Sequence, residues 1–325
     1  MSIQTIGLLT SGGDSPGMNA CIRAVVRTAI AKGLKVKGIR YGYQGLIENN
    51  IVELQAKDVS NIIQRGGTIL KTSRSKEFPT PAGMQKAWDN LKKNNIDAVI
   101  AVGGDGTFRG ANEFSAFSGI PFIGIPGTID NDLAGTDYTI GFDTAVNTAL
   151  DAIDKIRDTA DSHDRLFFIE VMGRDAGYIA LYSGLAGGAE ALVIPETPTD
   201  INQLISTLRN GWNRKKSSKI VVVAEGDEEG GANAIAQKVK EQFNEIETRV
   251  SILGHMQRGG KPTTIDRLNA TRMGFAAVNA LLTGKQNIMV GIVNNKVLFT
   301  PLEKAVKLQP EIDPELLEMV RVLSS

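Results

Sequence analysis

Ala98-Val99-Ile100-Ala101-Val102-Gly103-Gly104-Asp105-Gly106-Thr107 is the stretch on which the fold turns. Its first five residues are apolar without a break, so they lack the alternation of a strand with one wet face. That pattern suits a strand of a parallel sheet, buried on both sides. Two glycines follow at once, where the backbone has to turn and can approach a ligand closely. The same order recurs outward from this stretch. Thr5–Leu9 leads into Ser11-Gly12-Gly13, and Phe122–Ile125 leads into Pro126-Gly127. Lys35–Tyr41, Phe167–Val171, Leu192–Ile194, Ile220–Ala224, Val250–Leu253 and Met289–Val293 are further predicted strands. Helical spacing lies between them, as in Ala145, Val146, Ala149, Leu150, Ile153 and Ile156, and Asp313-Pro314 has the form of an N-cap followed by proline at the first helical position. The alternation predicts an α/β fold with mostly parallel sheets, whose ligands bind beyond the carboxyl ends of the strands. The glycine clusters stand at those ends.

Composition narrows the function. A chain of 325 residues is long enough for two domains. Hydrophobic residues make up 42% and charged residues 22%, which is ordinary globular usage. The 36 basic and 36 acidic side chains cancel to a formal charge of +0, so there is no global basic field for nucleic acid. Cys21 is the only cysteine, which excludes an intramolecular disulfide and fits a reducing compartment. Met1 to Leu9 lacks the basic start of a signal peptide, and no apolar run approaches the roughly 20 residues that span a bilayer. A cytoplasmic protein without a membrane partner is expected. No linker composition marks a domain boundary; Gly141 to Asp143 is the plausible hinge.

Three segments carry candidate chemistry, each with a plainer alternative. Ser11-Gly12-Gly13-Asp14-Ser15-Pro16-Gly17-Met18-Asn19 is either an anion site at a helix N-terminus or merely a tight strand-to-helix turn. In Gly103–Thr107 an acid stands in the middle of a phosphate-type loop. A carboxylate there repels phosphate unless Mg²⁺ lies between them; the alternative is a helix N-cap aspartate. Thr128-Ile129-Asp130-Asn131-Asp132 places two carboxylates at i and i+2, about 6.5 Å apart on extended backbone. One can act as the base that an alcohol nucleophile needs; the alternative is an Asx-turn cluster. Arg74, Arg165, Arg174, Arg249, His255 and Arg258 are a scattered cationic set suited to phosphate, or else solvated surface charges. Arg23 and Arg27 share a face of the first helix, as a solvated face or a second anion site. There is no Walker A sequence: Gly254 to Lys261 is one residue too long and continues with Pro262. No protein-kinase loop set occurs, and His163 and His255 are too few for a cysteine–histidine zinc pattern.

Taken together, Leu8–Ala20, Arg65-Gly66-Gly67-Thr68, Gly103–Gly106, Pro126–Asp132, Gly135–Phe142, Val171–Arg174 and Gly254–Gly260 closely resemble the bacterial ATP-dependent 6-phosphofructokinase family, from Ile6 to about Gly291. The resemblance implies two similar Rossmann-like three-layer αβα domains. Residues 1–140 with about 256–305 would bind ATP, and 141–255 with about 306–325 would bind fructose 6-phosphate. It implies Mg²⁺-dependent transfer of the ATP γ-phosphoryl to the sugar's 1-hydroxyl, giving fructose 1,6-bisphosphate in glycolysis. By motif match Gly13, Arg74, Ser75, Gly103, Gly104, Asp105, Gly106 and Thr107 resemble the ATP site, with Asp105 as metal ligand. Asp130 resembles the catalytic base, kept ionised by nearby arginines, with Thr128, Ile129 and Asp132 beside it and Arg174 facing the transferred group. Met172, Gly173, Arg174, Glu225, His255, Met256, Gln257 and Arg258 resemble the sugar-phosphate contacts, and Arg165 and Arg249 the contacts that a neighbouring subunit supplies. The family is typically a homotetramer.

Two further expectations come from the same resemblance. Pyrophosphate-using members carry Asp in place of Gly106 and Lys in place of Gly127; both are glycine here, which implies ATP as donor. Arg23, Arg27, Arg157, Gly188, Glu190, Arg214 and Lys216 match an effector site for ADP or phosphoenolpyruvate. Ala56, Lys57, Ser217 and Ser218 depart from the family pattern there, which leaves the effector and the sign of its effect open. The competing readings are a pyrophosphate-dependent phosphofructokinase, a catalytically silent nucleotide-sensing homologue, and a NAD or diacylglycerol kinase. The last two kinases lack the Thr128–Asp132 cluster.

Overall fold

The structure is a computed structural model that describes residues 3–213, 219–243, 245–306 and 312–323. Along the chain run β1 (Thr5–Thr10), α1 (Met18–Ala31), β2 (Lys35–Ile39), α2 (Gly42–Ile47), β3 (Ile51–Leu54), α3 (Pro81–Lys93), β4 (Ala98–Gly103), α4 (Asp105–Ser118), β5 (Phe122–Thr128), β6 (Ile140–Gly141) and α5 (Phe142–Ser162). Then follow β7 (Leu166–Val171), α6 (Tyr178–Ala186), β8 (Ala191–Val193), α7 (Ile201–Asn213), β9 (Lys219–Ala224), α8 (Gly231–Gln242), β10 (Thr248–Ile252), a 3-10 turn at Gly254–Arg258, α9 (Thr264–Leu282), β11 (Ile288–Val293), β12 (Lys296–Pro301) and α10 (Pro314–Leu323). The chain divides into two compact units. One holds Met1–Ile129, Leu133–Thr144 and Arg258–Leu308; the other holds Asp130–Asp132, Ala145–Gln257 and Gln309–Ser325.

In the first unit every residue of β1 and β4 is buried, including the threonines that bound the Ile6–Leu9 run of β1. Alternate side chains go to opposite faces. Ile6 and Leu8 enter a core shared with Ile22, Val25 and Val26 of α1 and Met273, Ala277 and Val278 of α9. Leu9 enters a second core with Leu46 of α2, Leu91 of α3 and Phe108 and Phe114 of α4. Each such aliphatic side chain contributes about 1.5–3 kcal/mol by leaving water. A sheet fed this way must have helices on both faces. The strand order is β12-β11-β5-β4-β1-β2-β3, with β6 paired to the end of β5. The pairings are parallel except β2–β3 and β11–β12 at the edges. Cys21 lies in α1, wholly buried in the first core.

The second unit has a four-stranded parallel sheet in the order β10-β7-β9-β8. Val221 and Val223 pack with α7 and α8 through Leu204, Leu208, Ile235 and Val239. Val222 points the other way, toward α6: a Cβ added at Gly184 would lie 3.5 Å from the Val222 Cβ. This is again three layers. Asp313 Oδ1 accepts the Glu315 N–H at 2.9 Å, so the expected cap of the last helix is present.

Three strands had no counterpart among the predicted ones: β3, β6 and β12. β6 has only two residues, and β12 is largely exposed. The predicted strand Lys35–Tyr41 stops at Ile39, because Tyr41 and Gly42 take φ of 61° and 58° and start α2. The segment after β5 is not extended as expected. Asn131 has φ of 55°, so Asp130 and Asp132 sit on a turn and not on two alternate positions of a strand. Among the described residues no helix is long and apolar enough to cross a membrane.

Candidate active site

In the first unit two glycine loops are pressed together at the carboxyl ends of β1 and β4. Ser11 N–H donates to the Val102 carbonyl at 3.0 Å. A Cβ on Gly103 would lie 2.5 Å from the Ser11 carbonyl oxygen and 2.3 Å from Thr107 Oγ1, so only glycine allows this approach. Gly12 (φ 85°) and Gly17 (φ 106°) supply the left-handed turns that lead into α1. Asp105 does not cap α4: Gly104 holds the cap position, and Asp105 is the first helical residue. There its charge meets the positive end of the helix. Arg109 one turn on grips it as a fork, with Nε 3.1 Å from Oδ1 and an outer guanidinium nitrogen 3.0 Å from Oδ2. Thr107 is buried, and its Oγ1 has no hydrogen-bond partner among the described residues. A buried hydroxyl without a partner costs free energy unless a ligand supplies one.

This loop fits a Mg²⁺-bound polyphosphate. Mg²⁺ takes one or two protein carboxylates and completes its shell with phosphate oxygens and water. Asp105 is such a carboxylate, and the described residues hold no cluster of three or more His, Cys, Asp or Glu that would form an all-protein cage. Gly106 reinforces the fit. A Cβ there would meet nothing within 4 Å, so no packing within the chain demands glycine. Gly127 differs, since a Cβ would come within 2.9 Å of Val102 Cγ1.

Other predicted residues of this unit are placed as follows. Arg258 lies against the first loop; its guanidinium nitrogen would be 2.6 Å from a Cβ on Gly13 and is 3.4 Å from the Asp14 carbonyl. Ser75 is committed to local structure, donating to Gln44 Oε1 at 2.7 Å and accepting the Phe78 N–H at 3.0 Å. Arg74 is exposed. Thr128 is buried at the end of β5, and Thr139 Oγ1 donates to its carbonyl at 2.6 Å. Arg23 is half-buried and Arg27 exposed on α1.

In the second unit Asp130 is only 3% exposed, and the Arg174 Nε lies 3.5 Å from its Oδ2. Arg174 is held in place from its backbone. Glu225 Oε1 accepts the N–H groups of Gly173 (3.3 Å) and Arg174 (2.9 Å), and Arg174 itself takes φ of 54°. Gln257, fully buried, accepts the Met172 N–H through Oε1 at 2.9 Å, while its Nε2 has no partner among the described residues. Gln257 thus braces the Met172–Arg174 turn, whereas His255 and Met256 beside it are exposed. Ile129 and Asp132 are buried.

Arg165 and Arg249 converge on Glu247. Arg165 Nε donates to Oε2 at 2.6 Å, Arg249 to Oε1, and Arg165 first, then Arg249, hold that carboxyl below the usual range. Arg157 donates to the carbonyls of Gly187 and Gly188, and Gly188 has φ of 60°. Glu190 is buried, with Oε2 3.8 Å from a Cβ built on Gly211. Arg214, Lys216, Ser217 and Ser218 lie outside the described residues.

Tyr43 and Asp266 escaped the sequence reading, and Asn19 was read only as the end of the Ser11–Asn19 segment. Tyr43 donates its hydroxyl to the Thr107 carbonyl at 2.7 Å, and Asn19 ties down residues 65–69. Asp266 is a buried carboxylate at the start of α9. Thr263-Thr264-Ile265-Asp266 before an apolar run carries the spacing of a capping box, which was the signal available for it.

The doubly wound α/β unit, with paired glycine loops, a helix-terminal carboxylate and the unpartnered Thr107 hydroxyl, fits a polyphosphate without a Walker sequence. The comparisons make this specific: the phosphofructokinase family model matches residues 5–281, and the chain belongs to that family. A Thermus thermophilus protein named ATP-dependent 6-phosphofructokinase 1 is 56% identical over 322 residues, covering 99% of this chain and 100% of its own. A Bacteroides thetaiotaomicron protein named ATP-dependent 6-phosphofructokinase 2 is 53% identical over 323 residues, with 99% of each covered. Among solved structures, Pichia pastoris phosphofructokinase in the T-state superposes with a TM-score of 0.88 at 37% identity, over 94% of this chain and 38% of that longer one.

Proposed function

We propose that the chain is an ATP-dependent 6-phosphofructokinase, a glycolytic transferase that moves the ATP γ-phosphoryl to the 1-hydroxyl of fructose 6-phosphate. The observation that carries the reading is the buried Asp130 carboxylate with the Arg174 guanidinium 3.5 Å away. Phosphoryl transfer asks little covalent chemistry of the protein; it asks for position and charge. Asp130 accepts the proton of the attacking hydroxyl as the bond to phosphorus forms. Arg174 offsets negative charge on the transferred group. The first unit is the ATP-binding domain. The Gly12–Gly13 and Gly103–Thr107 loops serve the phosphates, and Asp105 would hold Mg²⁺ from the first turn of α4. When bound there, the ion would offset negative charge on the nucleotide phosphates. In the second domain Met172–Arg174, Glu225 and the 255–257 turn serve the sugar phosphate.

Gly106, which no packing contact requires to be glycine, supports ATP over pyrophosphate as donor; Gly127 agrees with that choice but also has a packing reason. The reading extends to a cytoplasmic homotetramer in which Arg165 and Arg249, gathered by Glu247, serve a neighbouring copy's sugar site. For an ADP or phosphoenolpyruvate effector, Arg23 and Arg27 on α1 and, separately, Arg157 on α5 are the candidate contacts.

The test is a coupled assay with ATP, Mg²⁺ and fructose 6-phosphate. Wild-type protein is expected to turn over, and pyrophosphate is expected not to replace ATP. Asp130→Ser is expected to lose about 10²–10⁴ in kcat, the usual range for a general base, with little change in the sugar-phosphate KM. Near-normal turnover of that variant removes Asp130 from the role.

A further inference from the structure

Asp266 is 1% exposed, and its carboxylate oxygens bond to Gly141 and Thr144, which are not among the residues assigned above to nucleotide or sugar. It stands in the first turn of α9, and both its oxygens leave that helix. Oδ1 accepts the Gly141 N–H at 2.8 Å. Oδ2 accepts the Thr144 N–H at 2.8 Å and the Thr144 hydroxyl as well. Thr263, which caps α9 by accepting the Asp266 N–H at 3.3 Å, joins the same residues. Its N–H donates to Thr144 Oγ1 at 3.0 Å and its hydroxyl to Asp143 Oδ2. The start of α9 is thereby stitched to residues 141–144, the entry of α5.

Gly141 is also the second residue of β6, where it pairs with Thr128 while Ile140 pairs with Gly127. Its φ is 107°, and a Cβ there would lie 2.5 Å from the Ser15 Cβ, so its place is tightly defined. Thr139 adds its hydroxyl bond to the Thr128 carbonyl. The Asp266 carboxylate thus holds Gly141, and the short strand that contains Gly141 is paired in register with Gly127–Thr128. Asp130 follows two residues along the chain.

We propose that Asp266 is a positioning residue for phosphoryl transfer: by holding β6 in register on Gly127–Thr128 it fixes the direction in which the chain leaves β5 toward Asp130. The inference rests on the reading of Asp130 as the base. A simple helix cap would not need this group, since one neutral acceptor satisfies a cap. Here three donors converge, and a carboxylate is the side chain that accepts from all three. Its burial is costly and pushes the carboxyl up to about 6, with Asp143 adding to the rise. A costly group kept in a fully bonded position beside a short strand indicates a demand for geometry.

The experiment compares Asp266→Asn, Thr139→Val, their double variant and Asp130→Asn. The readouts are kcat, both KM values, the affinity for a non-hydrolysable ATP analogue and thermal unfolding. Asp266→Asn keeps one acceptor and turns an NH₂ group toward the Thr144 donors. It is expected to lower kcat about tenfold or more while analogue affinity and ATP KM stay within about twofold. Thr139→Val, which removes the hydroxyl bond to the Thr128 carbonyl, shows a smaller loss of the same kind, and the double variant is no worse than Asp266→Asn alone. A folded Asp266→Asn with kcat within about twofold of wild type overturns the proposal, as does a fall in nucleotide affinity matching the fall in kcat. If Asp266→Asn does not fold, Thr139→Val decides, and an unchanged kcat there is equally fatal. Asp130→Asn separates the two readings. Inactivity of that variant beside a normal Asp266→Asn sinks this inference alone, whereas an active Asp130→Asn sinks the base assignment and this inference with it.

Discussion

Gly106 and Gly103 stand three residues apart and are glycine for different reasons. Gly103 is glycine because Ser11 and Thr107 leave no room for a Cβ. Gly106 has ordinary helical backbone at the start of α4 and open space around it. An aspartate there is well placed for stability, since acids favour the first helical turn. Gly106→Asp is therefore expected to melt at or slightly above the wild-type temperature. Its ATP KM should rise about tenfold or more, because a second carboxylate faces the phosphates without a second cation. Steady-state kinetics beside a thermal scan checks this. An unchanged ATP KM would show that position 106 does not border the nucleotide.

At the scale of elements, the segment between β3 and α3 has little regular structure and is fixed by side chains reaching into it. Asn19 of α1, 1% exposed, donates to the carbonyls of Arg65 and Gly66 at 3.1 Å each and accepts the Ile69 N–H at 2.8 Å. Thr10 donates to the Lys71 carbonyl at 2.9 Å. Gly66 admits the Gly260 carbonyl, which would lie 2.3 Å from a Cβ. Asn19→Ala removes three bonds of about 1 kcal/mol each and leaves their backbone partners unsatisfied. The expected result is a loss of about 2–4 kcal/mol in stability and a raised ATP KM, since the freed segment leads to Arg74. Denaturant unfolding and kinetics check the two effects, and wild-type values in both would rule out the anchoring role.

Strands buried on both faces were legible because an unbroken apolar run has few other uses, and the glycine loops because they end such runs. β12 was missed although Asn294-Asn295, with φ of 48° and 60°, is a hairpin signal between two runs. β6 was not legible: two residues carry no period, and its register comes from Asp266, more than a hundred residues on. The turn at Asn131 overrode the extended reading because asparagine tolerates the left-handed region that carries the chain out of β5. Arg174 was legible as a cation. Its backbone clamp by Glu225 was not, because that contact joins the ends of β7 and β9.

For the molecule as a whole, two compact units with separate cores make a single unfolding free energy an unsafe description. The first unit should show a distinctive pH response. The Asp266 carboxyl is raised from 3.8 to about 6, chiefly by burial, so the folded unit holds that proton more tightly than the unfolded chain does. The penalty for ionising it is absent below about pH 4, grows as pH rises, and is complete above about pH 6, at on the order of 3 kcal/mol. Asp266→Asn should flatten this part of the profile, so that wild type and variant diverge on going from pH 4 to pH 7. Parallel profiles across that window would show that the buried carboxyl titrates normally.

Cys21 gives a way to watch that unit by itself. It is the chain's one thiol, wholly buried in α1, and burial raises its pKa so that little thiolate forms. A thiol-reactive dye added to native protein must wait for the α1–α9 core to part, and fluctuations of the second unit leave it silent. The protein thus carries a built-in stopwatch at a single position. Its labelling rate, with and without nucleotide, times the breathing of the glycine-loop unit without any engineered probe.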